Sequence, residues 1–135
     1  SIAVHYRTSE QEAEETVKHL SQWGGSHQGF QANLGREEEI HRLVDQVKSA
    51  YGQIDVLVNT AAIWGHRKLE EIHAQHVREQ WETNTLGTFL MCQAVGLTMT
   101  QQSSGGCIIN FGDWADLRPY PDYAAYFPSK GAIPN

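Results

Sequence analysis

Residues 108–130, IINFGDWADLRPYPDYAAYFPSK, decide how the rest of the chain is interpreted. The β-branched and aromatic run at 107–111 predicts a buried strand. The loop that follows carries Asp113, Trp114 and Asp116. Its two prolines are incompatible with regular helix or strand, so the chain leaves the sheet here before order returns near residue 126.

Tyr126 and Lys130 stand four residues apart, a spacing that puts both side chains on one face of a helix. A phenol beside an ammonium is a proton donor whose anion is stabilised. Asp113 lies at the end of the preceding strand, so the pattern predicts a site of proton transfer. The alternative is an ordinary pair on a helix surface, which has the same spacing.

The composition excludes several classes of protein. The chain has 135 residues, enough for one domain, and its net charge of −6 gives no basic surface for nucleic acid. Cys92 and Cys107 lie in apolar runs and are expected to be buried hydrophobes, not a disulfide. Without an apolar span of membrane length or a signal peptide, we expect a soluble, cytoplasmic protein.

Strands and helices alternate along the chain. Strands are predicted at 2–6, around Phe30, at 54–58 (buried on both faces) and at 107–111. Helices are predicted after a Ser9–Glu12 capping box, at 36–51 and at 76–101. This alternation predicts a doubly wound parallel α/β sheet, Rossmann-like, with ligands beyond the carboxyl ends of the strands. The 76–101 helix is apolar nearly all round, so one face is free for another subunit.

Three motifs, taken in order, resemble the short-chain dehydrogenase/reductase family. They are DVLVNTAA at 55–62, Asn84 in the long helix, and Tyr126-x-x-x-Lys130. Members of that family begin with a further strand and a TGxxxGxG turn, and they continue past the lysine. The resemblance therefore implies that 1–135 is a partial NAD(P)-binding domain, an internal fragment incomplete at both ends.

The resemblance also implies roles for matching residues. Tyr126 would be the general acid/base, and Lys130 would lower its pKa from about 10 and bind the nicotinamide ribose. Asn84 would hold a water in the proton relay, or else be a polar residue bonded to backbone. Asn59 and Ala61 would lie along the adenosine side of the cofactor.

Two departures from the family pattern point to one branch of it. Asp113 stands thirteen residues before Tyr126, where the family has serine, and the aromatic Trp64 follows the strand-end motif. Both features look like the pteridine-reductase branch, in which an aromatic ring stacks on the pterin and the aspartate works with the tyrosine. The alternatives are an inactive site at Asp113 and a tryptophan that only covers the core.

The end of the first strand bears on the cofactor. NAD-binding folds place an acid at the end of their second strand, which the first strand of this chain resembles, whereas an arginine at that point suits the additional phosphate of NADP. The sequence has Arg7, Thr8 and Ser9 as candidate phosphate contacts, which favours NADPH, although Arg7 could equally be a solvated loop cation. Asn33 and Leu34 fall where the family places its adenine contacts.

The combined expectation is an NADPH-dependent reductase that transfers hydride to a C=N or C=O group of a planar, pterin-like substrate. The alternatives are a 3-oxoacyl-type carbonyl reductase and a non-catalytic nucleotide-sensing module with the same fold. No metal is expected, because His66, His73 and His76 lack further ligands and lie in a polar stretch.

Overall fold

The computed structural model describes residues 1–114 and 117–134, so Asp116 of the loop lies outside the described residues. The elements alternate as expected. The strands are β1 (Ile2–Tyr6), β2 (His27–Gln31), β3 (Val56–Asn59) and β4 (Cys107–Asn110). The α-helices are α1 (Glu10–Ser21), α2 (Glu37–Tyr51), α3 (Ala74–Gln80), α4 (Gly87–Thr100) and α5 (Phe127–Gly131). A 3₁₀ turn (Leu69–Glu71) precedes α3, and a π-helix (Trp81–Leu86) joins α3 to α4.

The strands form two parallel pairs. β1 pairs with β2 from Ile2 opposite His27 to Tyr6 opposite Gln31. β3 pairs with β4 from Val56 opposite Cys107 to Asn59 opposite Asn110. Within the described part of the chain, the two pairs are separate sheets. Parallel pairing through helical crossovers confirms the predicted α/β class.

The core lies where α2 and α4 meet the sheets. Its buried members come from both halves of the chain: Phe30, Ala32, Leu34, Ile40, Leu43, Val44, Met91, Val95 and Met99. At the start of α4, a Cβ on Gly87 would lie 2.6 Å from the carbonyl oxygen of Leu34. The glycine therefore lets α4 approach the backbone after β2 closely enough to close the core.

The prediction that the third strand is buried on both faces is wrong. Leu57 packs against the core, whereas Val56 and Val58 are 54% and 49% exposed. α4 covers only the Leu57 face, and the alternation of side chains across a strand directs the two valines the other way.

Three smaller expectations are also corrected. Cys107 is exposed and Cys92 half-buried, both as free thiols, because β4 shares the uncovered face of β3. The Ser9 side chain makes no capping hydrogen bond, since its backbone (φ −87°, ψ 60°) departs from the extended conformation of a usual N-cap. The long helix is interrupted by the π-helix. Among residues 1–114 and 117–134, no helix is long and apolar enough to cross a bilayer.

Candidate active site

The short helix α5 holds two of the predicted site residues. Tyr126 is its N-cap, already in helical conformation (φ −82°, ψ −42°), and Lys130 lies in its last turn. The backbone N–H of Lys130 donates to the Tyr126 carbonyl at 3.3 Å, closing that turn. Both residues are only 6% exposed, so a phenol and an ammonium are brought into the interior together.

Asp113 completes a group of three at the carboxyl end of β4. The Tyr126 hydroxyl donates to the Asp113 carboxylate at 2.9 Å. The Lys130 ammonium donates to the carbonyl of Phe111 at 2.5 Å, just past the end of the strand. The structure thus brings together the phenol, the carboxyl group and the ammonium that the sequence singled out, with the phenol directed at the loop that leaves β4.

Asn84 lies in the π-helix and is almost completely buried. Its Oδ1 accepts from the Ile63 N–H at 2.7 Å, while its Nδ2 donates to the Ile63 carbonyl at 2.8 Å and to Ser129 Oγ at 2.9 Å. Both amide hydrogens are therefore donated to protein acceptors. The side chain joins the loop after β3 to α5, and the water expected in the proton relay stays a prediction.

Four aromatic rings form a continuous row beside this group, here called the aromatic wall: Trp64, Tyr123, Tyr120 and Trp114. Trp64 stacks on Tyr123 with centroids 5.2 Å apart, Tyr123 meets Tyr120 edge-on at 5.2 Å, and Tyr120 stacks on Trp114 at 5.8 Å. Trp64 remains 65% exposed, so stacking on Tyr123 leaves much of the indole open. The wall connects the loops that follow β3 and β4.

The negative charge of Asp113 also affects Tyr120 in the aromatic wall. Burial first, then the negative charges of Asp113 and Tyr123, raise the pKa of Tyr120 above its usual value. Tyr120 therefore stays a neutral phenol at physiological pH. At the rim of the wall, the backbone N–H of Arg67 donates to the Asp122 carbonyl at 2.8 Å. The Nε2 atom of His66 lies 3.4 Å from the Asp122 carboxylate.

A cavity of about 450 Å³ lies between the ends of β1 and β3. Most of the predicted cofactor contacts line it, namely Arg7, Thr8, Ser9, Leu34 and Ala61, beside Ile63 and Thr83. One guanidinium and two hydroxyls at its β1 end are hydrogen-bond donors, which suits an anionic phosphate, although Glu12 contributes one acid to the lining. A larger open groove, about 940 Å³, lies between β2 and α2 and contains none of the predicted site residues.

Three predicted cofactor contacts lie outside this cavity, namely Lys130 in α5 and two asparagines. Asn33 Oδ1 accepts from the Gly35 N–H at 3.0 Å and shapes the turn after β2. Asn59 Nδ2 donates to Asn110 Oδ1 at 2.9 Å and contacts Cys92 Sγ at 3.4 Å, linking the ends of β3 and β4. Both asparagine side chains are thus engaged within the protein.

The chain as a whole is similar to known proteins. The family model described as short chain dehydrogenase matches residues 1–135. The chain belongs to the short chain dehydrogenase family. It is similar to the 3-oxoacyl-[acyl-carrier-protein] reductase of Rattus norvegicus, with 34% identity over 113 residues that make up 84% of this chain and 47% of that protein. It is also similar to the D-threitol dehydrogenase of Mycolicibacterium smegmatis, with 34% identity over 81% of this chain and 42% of the relative.

Solved structures agree with this assignment. A short chain dehydrogenase from Burkholderia cenocepacia in complex with NADP superposes with a TM-score of 0.88 at 25% identity, over 98% of this chain and 53% of that one. The acetoin dehydrogenase YohF of Salmonella typhimurium gives 0.88 at 26% identity, over 98% and 52%. The chain spans about half the length of the relatives it matches.

Several residues that contact the candidate site residues were not predicted from the sequence. Ser129 binds Asn84, Thr85 binds the backbone of Ser129, and Tyr120 and Tyr123 form the middle of the aromatic wall. The signal for Ser129 was its position three residues after Tyr126, on the same side of the helix. The contact of Thr85 with Ser129 could not be predicted from helical spacing, because the side-chain positions of a π-helix differ from those of an α-helix.

The three histidines of the polar stretch take local roles. The His73 N–H donates to His76 Nδ1 at 3.1 Å at the start of α3, and His66 faces Asp122. Among the residues described, no group of three or more His, Cys, Asp and Glu side chains could hold a metal ion.

Proposed function

We propose that the chain carries the proton-transfer site of an NADPH-dependent reductase acting on a C=N or C=O group of a small planar substrate, a pterin or dihydropterin. The single observation that carries the proposal is the 2.9 Å hydrogen bond from the Tyr126 hydroxyl to Asp113, with the Lys130 ammonium held at the end of the same strand. NADPH, when bound, supplies the hydride.

Tyr126 is the proton donor in this proposal. Its hydroxyl gives the proton to the substrate atom that gains electrons, and the Lys130 ammonium stabilises the resulting phenolate. An ionised Asp113 opposes that phenolate, because two negative charges 2.9 Å apart repel each other. Turnover therefore requires that Asp113 either be protonated or have its charge stabilised by N–H groups of the substrate that donate to it.

This requirement favours a nitrogen heterocycle. An ionised carboxylate accepts hydrogen bonds and donates none, so it binds the N–H groups of a pterin and does not bind the oxygen of a ketone. The exposed face of Trp64 adds an apolar surface on which a flat ring can stack. Both features lie on loops at the carboxyl ends of β3 and β4.

A carbonyl reductase of the 3-oxoacyl type is the second candidate. It is supported by similarity to relatives with that name, including the one from Rattus norvegicus and one from Staphylococcus epidermidis that is 31% identical over 98% of this chain. It requires that Asp113 be protonated, so that its carboxyl can donate to a ketone oxygen.

NADPH is proposed over NADH because of the β1 end of the cavity. Arg7 carries a fixed positive charge, and Thr8 and Ser9 add hydroxyl donors beside the N-terminus of α1. Together these groups offer a bidentate cation and a positive helix end to the additional phosphate.

The test is the substrate preference of the Asp113→Ser and Asp113→Asn variants, made in the protein expressed from its complete gene. NADPH consumption is followed with a dihydropterin and with a 3-oxoacyl ester. We expect wild-type turnover of the dihydropterin, a loss of about tenfold or more in both variants because one charge-assisted contact is gone, and a gain on the ketone in Asp113→Ser. Wild-type preference for the ketone, retained in Asp113→Ser, would favour the second candidate. NADPH binding without turnover of either substrate would identify a nucleotide-sensing module.

We also propose that the protein forms a homo-oligomer through the outer face of the 76–101 helical region. Leu86, Phe89 and Leu97 are exposed there, whereas Met91 and Val95 of the opposite face are buried. Burial of such a stripe against a second copy is the usual stable arrangement. Analytical ultracentrifugation of Leu97→Glu should show a smaller species than wild type, and Leu117→Glu, a change at another exposed leucine, should not.

A further inference from the structure

Ser129 lies in α5 between Tyr126 and Lys130 and has no direct part in the proposed proton transfer. It is nevertheless only 1% exposed. Its hydroxyl donates to the Tyr126 carbonyl at 2.6 Å and accepts from Asn84 Nδ2 at 2.9 Å. Its own carbonyl accepts from Thr85 Oγ1 at 2.8 Å. A buried hydroxyl with this many partners is held in one position.

The π-helix explains how two neighbouring residues reach the same serine. In an α-helix, successive side chains point about 100° apart and rarely serve one partner. Asn84 and Thr85 both lie in the Trp81–Leu86 π-helix, and both bind Ser129. π segments inside helices frequently occur at functional sites, which is consistent with this placement.

The same network extends to the cofactor side of the site. Asn84 holds both the N–H and the carbonyl of Ile63, which lines the cavity between β1 and β3. Ile63, Asn84, Thr85, Ser129 and the Tyr126 carbonyl therefore form one connection, buried at Asn84 and Ser129 and half-buried at Ile63 and Thr85, which is here called the junction. It links the loop after β3 to the helix that carries the phenol and the ammonium.

We propose that Ser129 is a positioning residue that sets Tyr126 and Lys130 relative to the loop at Ile63, so that the phenol meets a substrate held against that loop. This inference rests on the proposed role of Tyr126 as proton donor. Without the hydroxyl, one Asn84 hydrogen loses its acceptor, and α5 loses one of the hydrogen bonds that join it to the π-helix. The phenol is then free to shift, and a displacement of about 1 Å can lower a rate by about 100-fold.

The central experiment compares Ser129→Ala with wild type in the protein expressed from its complete gene. We expect kcat to fall by about tenfold or more, with KM for substrate and for NADPH within about twofold, because positioning and not binding is changed. Ser129→Cys, which keeps a weaker donor at the same place, should lie between the two. Thr85→Val should lower kcat in the same direction and by less, since it removes one bond of the junction.

A matched control separates this effect from the loss of any helical serine hydroxyl. Ser49 is exposed in α2, and its Oγ donates to the Asp45 carbonyl at 2.8 Å. Ser49→Ala should leave kcat unchanged. If Ser129→Ala does not fold, Ser129→Cys and Thr85→Val carry the test, and unchanged kcat in both would overturn the inference.

A second readout does not need turnover. The tyrosinate absorbance that the Tyr126→Phe substitution removes should have a different pH midpoint in Ser129→Ala than in wild type, because the phenol shifts relative to the Asp113 carboxylate to which it donates. If wild type turns over no substrate, the proposed function fails while this titration still tests Ser129. A folded Ser129→Ala protein with wild-type kcat and titration would contradict the positioning role.

Discussion

The junction and the β1 end of the cavity are built in opposite ways. In the junction, the side chains of Asn84 and Ser129 are buried and bonded to several partners each. At the β1 end, Arg7, Thr8 and Ser9 are exposed, and Ser9 makes no capping hydrogen bond. One region is fixed before any ligand arrives, whereas the other consists of donors on a surface loop.

The difference separates two kinds of function. Proton transfer depends on distances of a few tenths of an ångström, and buried hydrogen bonds provide that accuracy. Binding a phosphate depends mainly on charge and donors, which flexible side chains supply at small cost in stability. Substitutions in the junction should therefore change stability and kcat, and substitutions at the β1 end should change cofactor affinity.

The largest expected effect is on stability, in Asn84→Ala. The substitution removes three hydrogen bonds, one buried and two partly buried, and leaves the Ile63 N–H without its side-chain acceptor, so we expect the free energy of unfolding to fall by about 3 kcal/mol. Urea denaturation measures it. Asn33→Ala, which removes one turn-forming bond, should cost about 1 kcal/mol, and equal losses in the two variants would contradict the contrast.

Gly87→Ala should destabilise the protein by about 1–3 kcal/mol. Its new Cβ would lie 2.6 Å from the Leu34 carbonyl oxygen, so α4 must move away from the backbone after β2. Gly96→Ala in the same helix is the matched control, because its Cβ would meet only Ile108 Cδ1 at 3.7 Å. That control should keep or raise the thermal midpoint, since alanine has the higher helix propensity.

Arg7→Ala should raise KM for NADPH about tenfold and leave KM for NADH nearly unchanged, because only NADPH has the additional phosphate. Steady-state kinetics with both cofactors measure the change. Arg36→Ala, at an exposed arginine that lies 3.8 Å from Glu39, is the control. A parallel rise for both cofactors would show that Arg7 does not contact the phosphate.

The smallest expected effect concerns pH. Burial and the charge of Asp113 raise the pKa of Tyr120, so the folded protein holds this proton more tightly than the unfolded chain. Stability is then unaffected below about pH 10 and declines as pH rises through the ionisation of tyrosine. Thermal midpoints of Tyr120→Phe should decline less over that range than those of wild type, and identical curves would contradict the assignment.

Much of the fold followed from local pattern. The apolar stripe of α2 and the acids of its first turn placed that helix to within one residue of Glu37–Tyr51. The exposure of Val56 and Val58 was not predictable, because it depends on which element packs on each face of β3. The local sequence pattern does not predict packing between elements that are far apart in the chain.

The residues of the candidate site also fall into a group that the sequence predicted and a group that it did not. Tyr126, Lys130 and Asp113 could be found because their spacing has a chemical meaning, and the structure brings them together. The partners of Asn84 could not be found, since contacts between residues 63, 84 and 129 leave no periodic trace. Asn59 was predicted from its motif to contact the cofactor, but its side chain instead donates to Asn110 and links the ends of β3 and β4.

The proton-donor role of Tyr126 is tested most directly by a single-turnover measurement of NADPH oxidation with a dihydropterin, comparing wild type with Tyr126→Phe. Phenylalanine keeps the ring and removes the hydroxyl that donates to Asp113. We expect the rate to fall by about 10³-fold while NADPH still binds, in the range expected for loss of a general acid. A Tyr126→Phe protein that oxidises NADPH at the wild-type rate would contradict the central claim that this phenol supplies the proton.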